Sequence, residues 1–437
     1  MYREHTTRRV LFKGLAVVVF GSLFGFLGSA QPGLPQEPIN ISNTGSVCSL
    51  SDCIPSLVVF NNEVYVAWTE TTEKGKSALL FTGSKDGGKT FSTPQTILDS
   101  PEATAKQAVL GVTFGGTIFV VWSDDRNGNF EVLLTRSTDG GSTWKWDNDN
   151  AYLNLSDNAG DSLEPALAVA DNDTLVIAWS DDSFDAAINP EGQRNIFLRT
   201  FDEQQDAAFT RPINLSGRVS SSSSNASAEH PSLAVDSNNT SLDIFIVWEQ
   251  ITSRTREILF NQSTSFSVPM NISNTANQDS QNPVVVLKHN PDTQKQQISV
   301  FWTEQLNSQT QIVSNSTPDA SVPFSAPTFA KNPFNISQIE AGAARAPAVA
   351  VDLNNNLFIA WEERRGRQFS SIHLRTSLDP FSPPENVSSP QSERGNAKNP
   401  AVAAGESHIL LAWVQGTTQG FDIFFTTRAL NTPTPSA

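Results

Sequence analysis

Apolar residues come along this chain in bursts of four or five, such as Val64-Tyr-Val-Ala-Trp68, Ile118-Phe-Val-Val-Trp122 and Leu357-Phe-Ile-Ala-Trp361. Asn, Asp, Gly, Ser and Pro interrupt every burst. Runs of that length between turn formers read as buried strands, and no segment sustains a 3.6-residue apolar period. The bursts recur in a fixed order. Strand A follows a proline in Pro55-Ser-Leu-Val-Val, Pro165-Ala-Leu-Ala-Val, Pro231-Ser-Leu-Ala-Val and Pro347-Ala-Val-Ala-Val. An Asn- or Asp-rich turn leads to strand B, which ends on tryptophan. Strand C follows a variable polar loop, as in Asn195-Ile-Phe-Leu and Asp422-Ile-Phe-Phe. Strand D is an Asn-Ile/Leu/Val-Ser phrase beginning at Asn154, Asn214, Asn271, Asn335 and Asn386.

The tryptophans set the period. Trp68, Trp122, Trp179, Trp248, Trp302, Trp361 and Trp413 are 52 to 69 residues apart. Repeats near that length built only of strands point to propeller blades. The last unit lacks its Asn-Ile-Ser phrase, and an extra one, Pro38-Ile-Asn-Ile-Ser42, precedes the first. The expected fold is therefore all-β: a seven-bladed β-propeller of four-stranded antiparallel blades over residues 38–430, its ring closed by the N-terminal strand. Closure of that kind hides the two sheet edges an open array would leave.

The ends read differently. Residues 1–30 form an export signal, with Arg3, Arg8, Arg9 and Lys13 ahead of a short apolar run and Gly28-Ser29-Ala30 as a cleavage site. Thr7-Arg-Arg-Val-Leu-Phe-Lys13 resembles the twin-arginine signal, which implies export in the folded state. An ordinary secretory signal and an uncleaved membrane anchor are the alternatives. Residues 31–37 are a linker and 431–437 a polar tail. Outside the cytoplasm, Cys48 and Cys53 are placed to close a small disulfide loop, the alternative being two free thiols.

Two C–D turns carry a second motif: Ser84-Lys-Asp86-Gly-Gly88-Lys-Thr-Phe91 and Ser137-Thr-Asp139-Gly-Gly141-Ser-Thr-Trp144. Both match the Asp-box, Ser-x-Asp-x-Gly-x-x-aromatic, and by them the chain resembles the sialidase-like Asp-box superfamily. Later repeats keep remnants such as Asp379 and Phe381. The resemblance implies that the box is a folding element on the face opposite an active site, so Asp86 and Asp139 are assigned no catalysis. A sialidase would use a Tyr–Glu pair, three Arg on the substrate carboxylate and an Asp. Only Tyr2, Tyr65 and Tyr152 are present, none at the expected mouth, and the Arg-Ile-Pro phrase of those enzymes is missing.

The formal charge of −16 excludes a general nucleic-acid surface and favours a soluble monomer. It leaves room for a specific anion where a few Arg converge. The B–C and D–A loops share one face of such a ring, around the channel mouth, where ligands bind. The residue two past each tryptophan opens a B–C loop: Glu70, Asp124, Asp181, Gln250, Glu304, Glu363 and Gln415. The D–A loops add Asp52, Lys106, Glu164, His230, Asn282, Arg345 and Lys398. The ligand-binding candidates are Asp124, Asp125, Arg126, Glu164, Asp181, Glu304, Arg345, Glu362, Glu363 and Arg364, with Arg for carboxylates and acids for hydroxyls. The plainer reading is that acids after tryptophan cap turns or pair with Arg. The five histidines show no ligand spacing, so neither metal nor cofactor is expected, structural Ca²⁺ at Asp147-Asn-Asp-Asn150 aside. The reading at this level is a non-catalytic exported propeller that binds glycan or a cell-envelope polymer or scaffolds an exported protein partner. The alternative is a glycoside hydrolase using carboxylates at the mouth.

Overall fold

The computed structural model describes residues 37–42, 53–71, 77–98, 103–183, 193–203, 208–217, 227–238, 241–251, 255–263, 266, 268–275, 278–290, 295–306, 309–317, 333–365, 369–377, 383–388, 396–418 and 420–430. The export signal, Cys48, Asp52, Asp379, Phe381 and the polar tail lie outside them. Among the described residues there is no α-helix, and none long and apolar enough to cross a membrane.

The strands follow the repeat. The first sheet is β2 (Ser56–Phe60), β3 (Glu63–Thr71), β4 (Ser77–Ser84) and β5 (Gln95–Leu98), hydrogen-bonded in that order and antiparallel. The second is β6 (Ala105–Val112), β7 (Ile118–Asp124), β8 (Glu131–Ser137) and β9 (Leu153–Asn154). The third is β10 (Ser162–Val169), β11 (Thr174–Asp181), β12 (Asn195–Asp202) and β13 (Ile213–Asn214). The fourth is β14 (Ser227–Asn238), β15 (Ser241–Ile251), β16 (Arg256–Gln262) and β17 (Met270–Asn271). Then come β18 (Ser280–Asn290), β19 (Lys295–Leu306), β20 (Gln309–Ser316) and β21 (Phe334–Asn335). The next set is β22 (Ala343–Val351), β23 (Leu357–Arg364), β24 (Ser371–Thr376) and β25 (Glu385–Asn386). One parallel pair, Thr310 with Ala343, links these two sets into an eight-stranded sheet. The last sheet is β26 (Ala397–Ala404), β27 (His408–Thr417) and β28 (Gly420–Ala429), completed by β1 (Ile39–Asn40), whose residues pair with Phe425 and Phe424.

The Asn-Ile-Ser phrase has one job. Its serine hydroxyl accepts the backbone N–H at the head of strand C: Val132 on Ser156, Ile196 on Ser216, Ile258 on Ser273, Ile312 on Ser337 and Ile372 on Ser388, at 2.8–3.1 Å. The apolar residue before each serine is buried. Ser42 does the same for Ile423 at 3.0 Å and donates to Asp422 at 2.9 Å. The extra phrase ahead of the first unit thus serves the last sheet.

Apolar clusters fill the gaps between consecutive sheets, and the tryptophan of each sheet packs toward the preceding one. One cluster joins Trp68 and Val59 of the first sheet to Leu410 and Phe425 of the last. All seven indoles are at most 1% exposed. Removing one large buried aromatic costs about 3–5 kcal/mol, so these clusters dominate the stability. Cys53 is buried in the cluster between the first and last sheets and is disulfide-bonded. The two Asp-box turns lock neighbouring sheets as well. Ser84 Oγ donates to Asp86 (2.8 Å), which accepts Lys89 and Thr90 N–H, and Ser137 and Asp139 repeat the pattern with Thr143. Gly88 and Gly141 have φ near +86° and lie against the rings of Phe425 and Phe81. A Cβ would meet both strain and a clash there. Phe91 and Trp144 then pack edge-on against the same two rings.

Candidate functional site

The site is framed by two kinds of position beside each tryptophan. The residue two places on accepts the indole N–H in all seven repeats: Glu70 (3.2 Å), Asp124 (3.2 Å), Asp181 (2.8 Å), Gln250 (3.2 Å), Glu304 (2.6 Å), Glu363 (3.1 Å) and Gln415 (3.1 Å). A buried indole N–H without an acceptor would cost about 1–3 kcal/mol. That requirement explains why an acceptor recurs here whether acidic or amide. Asp124, Asp181, Glu304 and Glu363, expected to face a ligand, are buried. Most of their oxygens have further partners, but Oε1 of Glu304 is buried without a hydrogen bond among the described residues. Arg126 grips Asp124 at 2.7 and 2.8 Å, Ser162 and Asn158 donate to Asp181, Ser280 donates to Glu304, and Arg365 binds Glu363 at 2.6 Å. Asp125 accepts the Thr104 N–H at 2.6 Å. Asp124 and Glu363 thus pair with Arg, and all four acids after tryptophan hold the indole of their own sheet.

The residue one place past tryptophan points the other way, toward the next sheet. Its identity varies: Thr69, Ser123, Ser180, Glu249, Thr303, Glu362 and Val414. Two glutamates replace small residues, in β15 and β23. Both carboxyls are held above the ordinary range, chiefly by burial.

Opposite these residues the inner strands bulge. The ladder slips at Lys106/Val109, Leu163/Ala166, Glu229/Ser232, Gln281/Val284, Arg345/Ala348 and Lys398/Ala401. Each bulge carries a left-handed residue: Gln107, Glu164, His230, Asn282, Ala346 and Asn399, φ 49–57°. Bulges re-aim side chains, and here they turn the start of each inner strand into a rim. Backbone N–H groups at successive bulges bond to the sheet before: Glu164 to Gln107 (2.8 Å), His230 to Glu164 (2.7 Å), Asn282 to Glu249 (3.3 Å).

Two clusters of opposite charge result. At β22, β23 and β26, Glu362 pairs across the ladder with Arg345, and Lys398 occupies the position equivalent to Arg345 one sheet on. Lys398, Arg345 and Arg364 all favour the ionised form of Glu362, against the stronger effect of burial. Among the described residues no ion pair engages Arg345, Arg364 or Lys398, whereas Arg126, Arg194, Arg256 and Arg365 each hold a carboxylate. Phe369, 53% exposed, stands at the head of β24 beside Ser370. At β10, β14 and β15, Glu164, Glu229 and Glu249 gather round His230. Of these residues, Glu164, Arg345, Glu362 and Arg364 were legible as candidates. Glu229 and Glu249 were not.

A Tyr–Glu pair does exist: Tyr65 donates to Glu63. It sits at the β2–β3 hairpin, buried, and burial with the Glu63 charge raises the phenol far above its usual range. A raised phenol is the reverse of an activated nucleophile. Tyr152 lies under Arg126.

No family model matches the chain, and no curated protein does. Solved structures do. A polysaccharide lyase, an ulvan lyase, superposes with TM-score 0.52 at 8% identity over 89% of this chain and 94% of that one. An α-L-arabinanase from Penicillium chrysogenum gives 0.49 at 11% identity, covering 91% and 99%. A Hadza microbial sialidase gives 0.46 at 12%, covering 84% and 73%. At such identities the likeness is one of fold: an all-β chain of four-stranded antiparallel sheets with propeller neighbours.

Proposed function

We infer that this chain is an exported, seven-bladed, sialidase-like propeller of the Asp-box kind, closed by β1 on β28, that cleaves a glycan bearing anionic groups at the Glu362 rim. The carrying observation is Glu362 itself. It breaks the repeat, keeps a carboxyl shifted toward its acid form, and has around it three cations that no ion pair engages among the described residues. A carboxyl so placed can protonate a leaving glycosidic oxygen. Arg345, Arg364 and Lys398 can hold a carboxylate or sulfate of the substrate, and exposed Phe369 offers a ring face to a sugar. The name of the ulvan lyase, a polysaccharide-acting neighbour, supports a glycan as substrate. The twin-arginine-like segment supports export.

A second reading, binding without cleavage, draws on one observation. Glycosidases pair two carboxyls, and Glu363 beside Glu362 is committed to Trp361 and Arg365. Incubation of the protein with neutral, uronate-bearing and sulfated polysaccharides, followed by mass spectrometry, separates the two. Cleavage of an acidic glycan that Glu362→Gln abolishes supports the enzyme. Retention of that glycan without products leaves a binding protein. Failure to bind any acidic glycan contradicts both.

A further inference from the structure

The cluster around His230 is not used by that reading, and its geometry is that of a ligand set. In a regular strand Glu229 and His230 would point to opposite faces. The bulge in β14 and the left-handed backbone of His230 turn both toward Glu164, which stands at the matching bulge of β10. One donor atom from each of Glu164, Glu229 and His230 lies within 4.8 Å of the other two. Glu164 Oε1 is 3.3 Å from His230 Nε2. The edge of a tetrahedron with metal–ligand bonds of ~2.1 Å is about 3.4 Å, so this spacing fits a shared ion. The remaining oxygens are steadied: Glu164 Oε2 accepts the His230 N–H (2.7 Å), and Glu229 Oε1 accepts the Ser227 hydroxyl (2.9 Å).

A separate observation concerns the other ring nitrogen. The His230 side chain is 40% exposed, but its Nδ1 is turned inward and has no hydrogen-bond partner among the described residues. It faces Oε2 of Glu249, a side chain only 3% exposed, at 3.6 Å. Metal-bound histidines turn their second N–H to a carboxylate, which fixes the tautomer and leaves the first nitrogen's lone pair for the metal. Glu249 stands where that carboxylate belongs, and Arg256 on its Oε1 (2.7 Å) steadies it from the far side.

We propose that Glu164, Glu229 and His230 bind one divalent cation of the zinc–manganese class, with Glu249 as the positioning residue for His230. One imidazole and two carboxylates with positions left open suit Zn²⁺ or Mn²⁺. Ca²⁺ would ask for six to eight oxygens.

The test uses the full chain, stripped with chelator and titrated with Zn²⁺, Mn²⁺ or Ca²⁺, reading bound metal by elemental mass spectrometry and affinity by calorimetry. The expected result is one Zn²⁺ or Mn²⁺ per chain, a Tm that rises with the metal, and loss of both in His230→Ala and in the isosteric, partly exposed Glu229→Gln. Glu249→Gln should weaken affinity about 10–100-fold while one site remains. Absence of stoichiometric Zn²⁺ or Mn²⁺, or binding that folded Glu229→Gln and His230→Ala leave unchanged, overturns the site. Binding of Ca²⁺ alone overturns the metal class.

Discussion

The rims at His230 and at Glu362 are built from the same backbone positions and carry opposite charge. Each takes one residue from the step past a tryptophan, Glu249 or Glu362, and others from the bulge of an inner strand. At His230 three glutamates meet one imidazole, and Arg256 already holds Glu249. At Glu362 one glutamate meets three cations that no ion pair engages among the described residues. The repeat therefore supplies a common frame, and chemistry enters where single residues depart from it. One rim is ready for a cation and the other for an anion.

The largest effect should come from the frame. Trp248→Ala, beneath the His230 rim, and Trp361→Ala, beneath the Glu362 rim, should each cost about 3–5 kcal/mol, and each also removes the indole donor to Gln250 Oε1 or Glu363 Oε2. Denaturant unfolding measures this. Near-wild-type stability for either variant would mean that the indole is not what holds the adjacent rim.

Next is the anion rim. Arg345→Ala combined with Lys398→Ala should weaken binding of an acidic polysaccharide by about 10-fold or more, since a hydrogen bond to a charged group is worth ~1.5–3 kcal/mol. Metal binding at His230 should not change. Loss of both would show that the rims are not separable.

The pH dependence of anion binding sharpens the contrast. Burial raises the Glu362 carboxyl, so above that raised value Glu362 is ionised and repels an anion, and below it the repulsion is gone. Affinity should rise as pH falls from neutrality into the range just above an ordinary glutamate, about pH 4.3. Glu362→Gln should flatten the profile at its high-affinity end. A profile equally steep in the variant would assign the titration elsewhere.

The smallest effect belongs to the Asp-box turns. Hydrogen bonds from Thr90 and Thr143 hold Asp86 and Asp139 down to about 2. Groups lowered in the folded state contribute stability above their unfolded value, about pH 3.9, and lose it as pH falls through about 2. Asp139→Asn should therefore lower Tm slightly at neutral pH and not at pH near 2, with both rims unaffected.

What was legible in the sequence was what the repeat enforces. The tryptophans, the Asn-Ile-Ser serines and the two Asp-box turns recur because each meets the same backbone or packing demand in sheet after sheet. Recurrence is two-edged at the site: a polar residue two past each tryptophan reads as a ring of ligand groups, and the indole N–H asks for an acceptor there too. The alternation of Gln250 and Gln415 with Asp and Glu was the available clue, since an acceptor sufficed. Glu229 and Glu249 were hidden for another reason. Residues 164 and 229 lie far apart in sequence, and only the left-handed bulges bring Glu229, His230 and Glu164 to one point. Glu249 could have been found as well, since it departs, like Glu362, from Thr, Ser and Val at one repeat position.

The central claim is that the Glu362 rim cleaves an acidic glycan. The most direct test is product analysis of the wild-type chain and Glu362→Gln on a uronate-bearing and a sulfated polysaccharide, with binding measured in parallel. The account predicts products from the wild type, none from Glu362→Gln, and undiminished binding by that variant. Intact polysaccharide with the wild type, or equal cleavage by Glu362→Gln, would contradict it.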